Sequence, residues 1–331
     1  MEPYTPPFSI TNEMLMLAAE ISEKTGMISG YRAFASRPHL RRNNRIRSVY
    51  ASVAIEANSL TPEEVRGVID GKTVIGPWKE IQEVRNAYQA YDLIGQFDPY
   101  SQDDLKKMHG IMTGGIVSDS GSYRNHEEGV FHGEVCIFIA PPHRMVPDHM
   151  NNLFEWMCNA RKTVHPLILS SVFHYEFVFI HPFSDGNGRM ARLWQTALLS
   201  DWNPIFQYLP LESHIHEFQE AYYDAISAGH IEGSSDKFIL FMLERIKITL
   251  DQALQQISAG NLSLPKTVQK LLGVMEYDEP YTAEELLSLL GMKSKASLRK
   301  NYLVPALENG SIVMKDPDHP TSRNQAYIKK G

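Results

Sequence analysis

Residues 181–192 read His-Pro-Phe-Ser-Asp-Gly-Asn-Gly-Arg-Met-Ala-Arg, and this run constrains the chain more than any other. Pro182 cannot continue a helix and biases His181 away from helical geometry. The apolar, aromatic stretch Leu167–Ile180 is therefore expected to be a buried helix that ends at the imidazole. Helical spacing resumes over Arg189–Ser200, where Met190, Leu193, Trp194 and Ala197 are apolar. Gly186-Asn187-Gly188 then lies just ahead of a helix N-terminus. Free N–H groups and the positive end of the helix dipole favour an anion there, and glycine lets it approach the backbone.

The other residues of the run suit the same ligand. Asp185 is a hard oxygen donor of the kind that shares Mg²⁺ with phosphates. Arg189 and Arg192 stand three apart and can face one anion. His181 has an ordinary pKa of about 6.5, which suits a general base. Taken singly, the histidine reads as structural, the aspartate as a helix cap and Gly-Asn-Gly as a turn. In this order they describe a seat for a polyphosphate beside a group that moves a proton.

The run resembles the signature of the Fic (filamentation induced by cAMP) family, H-P-F-x-[DE]-G-N-G-R-x-x-R, at every position. The resemblance implies a mainly α fold, a helical bundle with a small β-hairpin flap, and transfer of AMP from ATP to a Ser, Thr or Tyr hydroxyl of a target protein. It makes His181 the base and Asp185 the Mg²⁺ ligand. Gly186, Asn187, Gly188 and Arg189 would hold the α- and β-phosphates, and Arg192 the γ-phosphate. The glycines separate the chain from the related Doc-type kinases, which carry Ala and Lys there. Val135–Val146 (VCIFIAPPHRMV) looks like the flap. Gly121–Arg124 and Glu83–Asn86 also resemble family positions and read as structural. Leu211–Tyr223 resembles the family's segment near the adenine but has Phe218-Gln219 where the family has Asn-Arg; Tyr223, or Tyr222, is then the expected adenine contact.

Upstream, Ile46, Val49, Tyr50, Val53 and Ala57 fit one face of a helix over about 44–58, on which Ser52 and Glu56 share another face. Ser52–Asn58 resembles the family's inhibitory motif [ST]-x-x-x-E-[GN], except that Ala57 stands where Gly or Asn is usual. The resemblance implies that Glu56 pairs with Arg192 and restrains the γ-phosphate, so that the chain inhibits itself.

At 331 residues and 43% apolar content, about two domains with a sizeable core are expected. A net charge of −7 argues against a chain built to coat nucleic acid. Cys136 and Cys158 form no disulfide framework, and no secretory pattern or membrane span is evident, so a cytoplasmic protein is expected. The expected division is an N-terminal helical region (1–104), a Fic core (105–257) and, past a boundary at Ser258–Pro265, a module over 262–331. In that module 267–274, 282–290 and 296–309 read as helices, the second opening with a capping box, and 311–314 and 325–328 as strands. This order resembles a winged helix. Lys293, Lys295, Arg299 and Lys300 leave DNA open as a partner, but the near-balanced charge favours protein docking or a homodimer. The expected substrates are ATP with Mg²⁺ and a target protein, which includes the chain itself. The rivals are removal of AMP, another nucleotide donor, and a nucleotide-sensing DNA-binding regulator.

Overall fold

A helix with no polar face has to lie inside the molecule, and Leu167–Phe177 is buried at every position. The computed structural model describes residues 4–30, 38–132, 135–262, 265–276, 279–308, 310–317, 319–320, 322 and 325–329. In chain order the elements are α1 (Asn12–Gly30), α2 (Pro38–Ile55), α3 (Pro62–Ile69), α4 (Trp78–Asp92), α5 (Gln102–Met112), β1 (Gly129–His132), β2 (Val135–Ile139) and α6 (Val146–Ala160). They continue as α7 (Pro166–Ile180), α8 (Asn187–Trp202), α9 (Leu211–Glu217), α10 (Gln219–Glu232), α11 (Asp236–Leu262) and α12 (Lys266–Val274). The last are β3 (Pro280–Thr282), α13 (Ala283–Leu289), α14 (Lys295–Leu298), α15 (Val304–Glu308), β4 (Ile312–Met314) and β5 (Ala326–Lys329). The chain is mainly α, as expected.

Two units can be distinguished, one within Met1–Met27 and Asn43–Asp251 and the other within Ile28–Arg42 and Gln252–Gly331. The first joins residues that the sequence divides between an N-terminal region and a core, and the unit boundary falls inside α11, ahead of Ser258–Pro265. At the centre of the first unit α7 packs on α8, whose residues from Arg189 to Ser200 are all buried. Side chains such as Phe173, Phe177, Met190 and Trp194 fill the space between the elements. The flap is an antiparallel hairpin, but its strands are β1 and β2, with Gly129 opposite Ile139 and a bulge at Val130/Phe131. It thus lies earlier than Val135–Val146. Pro141 and Pro142 carry no N–H for a ladder and lead instead into a short 3₁₀ turn, His143–Met145, ahead of α6.

In the second unit Val268, Leu271, Leu286, Leu298, Leu303 and Ile312 form the core under a sheet ordered β3-β5-β4. The Thr282/Glu285 capping box is present on α13. Strand β3 is invisible to periodicity because it has three residues and begins with proline; it gains its bonds from β5, with Tyr281 opposite Tyr327. Lys329 Nζ donates to the carbonyls of Leu272 and Met275 at 2.7 and 3.0 Å, closing the end of α12. Among the described residues, no helix is long and apolar enough to cross a membrane.

Near the N-terminus, the Tyr4 hydroxyl donates to Glu176 Oε2 at 2.8 Å. Burial raises the pKa of this carboxyl to about 7, and the Tyr4 bond pulls the other way. Because the folded-state pKa is raised, folding favours the neutral acid, and stability drains away as pH rises from about 4.5 to about 7. Glu176→Gln should abolish this loss, gaining about 3 kcal/mol over the parent at pH 8 and almost nothing at pH 4. Thermal melts of both proteins across that range check it; a gap independent of pH contradicts it.

Candidate functional site

Helix α7 ends because His181 turns left-handed (φ 52°, ψ 58°), a conformation that costs a non-glycine residue about 1–2 kcal/mol. The buried Arg124 braces this turn. Its Nε donates to the His181 carbonyl at 2.7 Å, and its Nη atoms donate to the carbonyls of His126 and Pro141 at 2.8 and 2.5 Å. The arginine read as structural from sequence thus ties the imidazole's backbone to the segments flanking the flap. Burial lowers the His181 pKa, so the ring is neutral and able to accept a proton near pH 7.

The loop that follows is held from below. Asn187 uses both ends of its amide on the backbone of Phe183, accepting from N–H at 3.0 Å and donating to C=O at 2.7 Å. Its side chain is therefore committed, and what it can offer an anion is its main-chain N–H. His109 stacks on Phe183 with centroids 3.6 Å apart. Gly121 N–H donates to His109 Nδ1, which leaves Nε2–H to donate to the Asp185 carbonyl at 3.0 Å. Gly186 has φ +82°, and a Cβ there would sit 2.8 Å from Thr113 Cγ2.

Asp185 Oδ1 accepts from Gly186 N–H and from Arg189 Nη2 at 2.6 and 2.8 Å. Its Oδ2 faces Lys79 Nζ at 3.6 Å. Burial disfavours the Asp185 carboxylate, but Arg189, the Gly186 N–H and Lys79 outweigh it and the pKa falls. Arg189 also lies 3.3 Å from Glu83, and its Nε has no hydrogen-bond partner among the described residues. Those residues hold no cluster of three metal-binding side chains. A single ionised carboxylate beside an anion seat nonetheless fits Mg²⁺, which is held by one or two carboxylates together with substrate phosphates.

The seat already holds a carboxylate. Glu56, one residue past the end of α2, accepts from Arg192 Nη2 at 2.7 Å. The same nitrogen donates to the Ser52 carbonyl at 2.9 Å, and Arg192 Nε donates to Ser52 Oγ at 3.3 Å. A Cβ on Gly188 would fall 2.2 Å from Glu56 Oε1, so the carboxylate rests on the first turn of α8 where an anion would go. Burial opposes the charge on Arg192, yet Glu56, Tyr222 and Tyr91 together outweigh it and the pKa rises. Arg192 Nη1 has no hydrogen-bond partner among the described residues. Ala57 has φ 63°, which explains why glycine or asparagine suits this place. Ala57→Gly should raise stability by about 0.5–1 kcal/mol, the strain relieved less the extra freedom of an unfolded glycine. Chemical denaturation checks this; a loss of stability contradicts it.

Above the seat opens a cleft of about 280 Å³. Its lining combines the polar Glu56, His181, Asn187, Gly188 and Arg192 with the apolar or aromatic Phe138, Val178, Tyr223, Ile226, His230 and Ile231. Tyr223, the residue expected at the adenine, lines the cleft, its hydroxyl donating to the Ile55 carbonyl at 3.3 Å. Tyr222 reaches the cleft too, but it is buried and its hydroxyl lies 2.9 Å from His174 Nε2. Residues on α10 such as Ile226 and His230 belong to no motif; only their helical spacing from Tyr223 could have pointed to them. The ring of His230 stacks on that of Phe138 at 4.3 Å, linking α10 to the flap.

Residues 99–199 match the Fic/DOC family, and residues 266–328 match the C-terminal domain of the Filamentation induced by cAMP protein Fic-like. A crystal structure of a Fic family protein from Desulfovibrio desulfuricans G20 superimposes with a TM-score of 0.75, at 39% identity over 99% of each chain. The protein adenylyltransferase Fic of Nematostella vectensis is 28% identical over 233 residues, 66% of this chain and 51% of that protein. A protein of the same name from Culex quinquefasciatus is 28% identical over 240 residues, 69% of this chain and 45% of its own length. The chain thus spans about half the length of these named relatives. Similarity along its whole length to the Desulfovibrio protein, at a site that keeps the full signature, shows that the chain belongs to the Fic family.

Proposed function

We propose that the protein transfers AMP from Mg-ATP to a hydroxyl of a target protein and that Glu56 holds this activity down. The observation that carries the reading is the Glu56 carboxylate on the first turn of α8, bonded to Arg192. A site that binds a carboxylate through a helix N-terminus and a buried guanidinium is built for an anion. The apolar and aromatic side chains that line the cleft give a nucleobase a surface to lie on. In this reading the N–H groups of Gly186 to Gly188 and Arg189 take the α- and β-phosphates, and Arg192 takes the γ-phosphate once Glu56 moves. Asp185 would hold Mg²⁺, which when bound neutralises developing charge on the phosphates.

The chemistry then needs positioning and one proton acceptor. The hydroxyl oxygen of the target bonds to the α-phosphorus while the bond from that phosphorus to the α–β bridging oxygen breaks. Pyrophosphate leaves, and neutral His181 takes the hydroxyl proton. For the second unit we infer a winged helix, which its order of helices followed by the β4–β5 pair supports, and a protein-docking role.

Glu56→Gly protein incubated with ATP, GTP or UTP labelled at the α-phosphate, alone and in lysate, tests the reading. ATP should label protein well above the others. Absence of transfer from every donor overturns it.

A further inference from the structure

Glu212 is 1% exposed, and the chemistry assigned to the site gives it no task. Its partners are unequal. Oε1 accepts from Tyr91 of α4 at 2.8 Å and from Thr196 of α8 at 3.1 Å, both fixed parts of the core. Oε2 accepts from Ser48 of α2 at 2.6 Å. One oxygen is thus anchored to the core and the other is presented to the helix that carries the brake.

The geometry points to Glu212 as a positioning residue for that brake, holding α2 through Ser48 so that Glu56 stays on Arg192. This rests on the reading of Glu56 given above and deepens it. Ser48 and Ser52 stand one turn apart on α2, and Glu56 follows four residues later, just past its end. Across from them, Arg192 and Thr196 stand four apart on α8. The seam therefore has two rungs, Glu56 and Ser52 on Arg192, then Ser48 on Glu212 beside Thr196. Ser48, Ser52, Arg192 and Thr196 are at most 5% exposed, so the serine bonds are shielded from bulk water, whereas the Glu56 side chain is 37% exposed. A seam of buried polar groups is about break-even between docked and undocked states, because each group forfeits water to make its bond. Removal of one rung then tilts the balance, whereas an apolar seam would lose only contact area.

Ser48 touches neither the cleft nor the anion seat, so Ser48→Ala separates latch from chemistry. It should raise AMP transfer about three- to tenfold, the net worth of one ordinary hydrogen bond. Ser48→Thr, which keeps the hydroxyl, should return the rate to that of the parent. In a Glu56→Gly background Ser48→Ala should change the rate less than about twofold, since the brake it supports is gone. Hydrogen exchange of amides 43–55 gives a readout independent of activity, and Ser48→Ala should speed it in the resting protein. Glu212→Gln should act in the same direction.

Unchanged exchange in Ser48→Ala overturns the latch, whatever the activity. So does faster exchange without a gain in transfer where Glu56→Gly does gain, or an equal gain in both backgrounds. If no variant transfers AMP, the proposed function fails, and the exchange data alone then judge the link between Glu212 and α2.

Discussion

Glu56→Gly should raise the rate of AMP transfer about 5- to 150-fold, the range for a coupling of about 1–3 kcal/mol between two sites. Two effects act together. The substitution removes the carboxylate that sits 2.2 Å from where a Cβ of Gly188 would be, and so clears the first turn of α8. It also releases Arg192, which is 1% exposed and bonded to Glu56 at 2.7 Å, to face a phosphate. The same change leaves a buried guanidinium short of its counter-charge, a costly state. Glu56→Gly protein should therefore melt earlier than the parent without nucleotide and gain more than the parent when Mg-ATP is added. Steady-state labelling and melting curves with and without Mg-ATP check both halves. An unchanged rate together with unchanged ATP affinity contradicts the brake.

His181→Ala in the Glu56→Gly background should lower transfer about 10²–10⁴-fold, the usual contribution of a general base. ATP binding should survive, because the phosphate donors lie on residues 186–192 and the base enters only when the hydroxyl attacks. Charge on the imidazole gives a second handle. Burial lowers its pKa, so the active neutral ring persists below the ordinary value of about 6.5, and the rate should fall only as pH drops through the shifted value. An acid limb centred above pH 6.5, or loss of ATP binding along with activity, contradicts this role.

Much of the site could be read from residues 181–192 because helix, proline, glycines and helix are adjacent in sequence. Proline and a left-handed residue end α7, and the N-terminus of α8 follows at once. The pairing of Glu56 with Arg192, 136 positions away, rested on resemblance, since no spacing rule reaches that far. Glu212 with Ser48 is harder still: a glutamate amid LESHIHE reads as a solvated charge until three hydroxyls are seen around it. Ile226, His230 and Ile231 of the cleft escaped notice because the resemblance stops at Tyr223 and the rest of α10 carries no motif. Helix α9 stops at Phe218 (φ −115°, ψ 39°), splitting what reads as one helical segment. Strand β3 escaped for want of length. Ala57 shows the reverse, a departure from a motif whose meaning, a left-handed turn, only the backbone explains.

The most direct test uses Glu56→Gly protein, Mg²⁺ and ATP labelled separately at the α- and γ-phosphates. The account predicts that α-label enters protein while γ-label appears only in released pyrophosphate. Entry of γ-label into protein would show that the seat presents the terminal phosphate to His181, and that the site transfers phosphate rather than AMP.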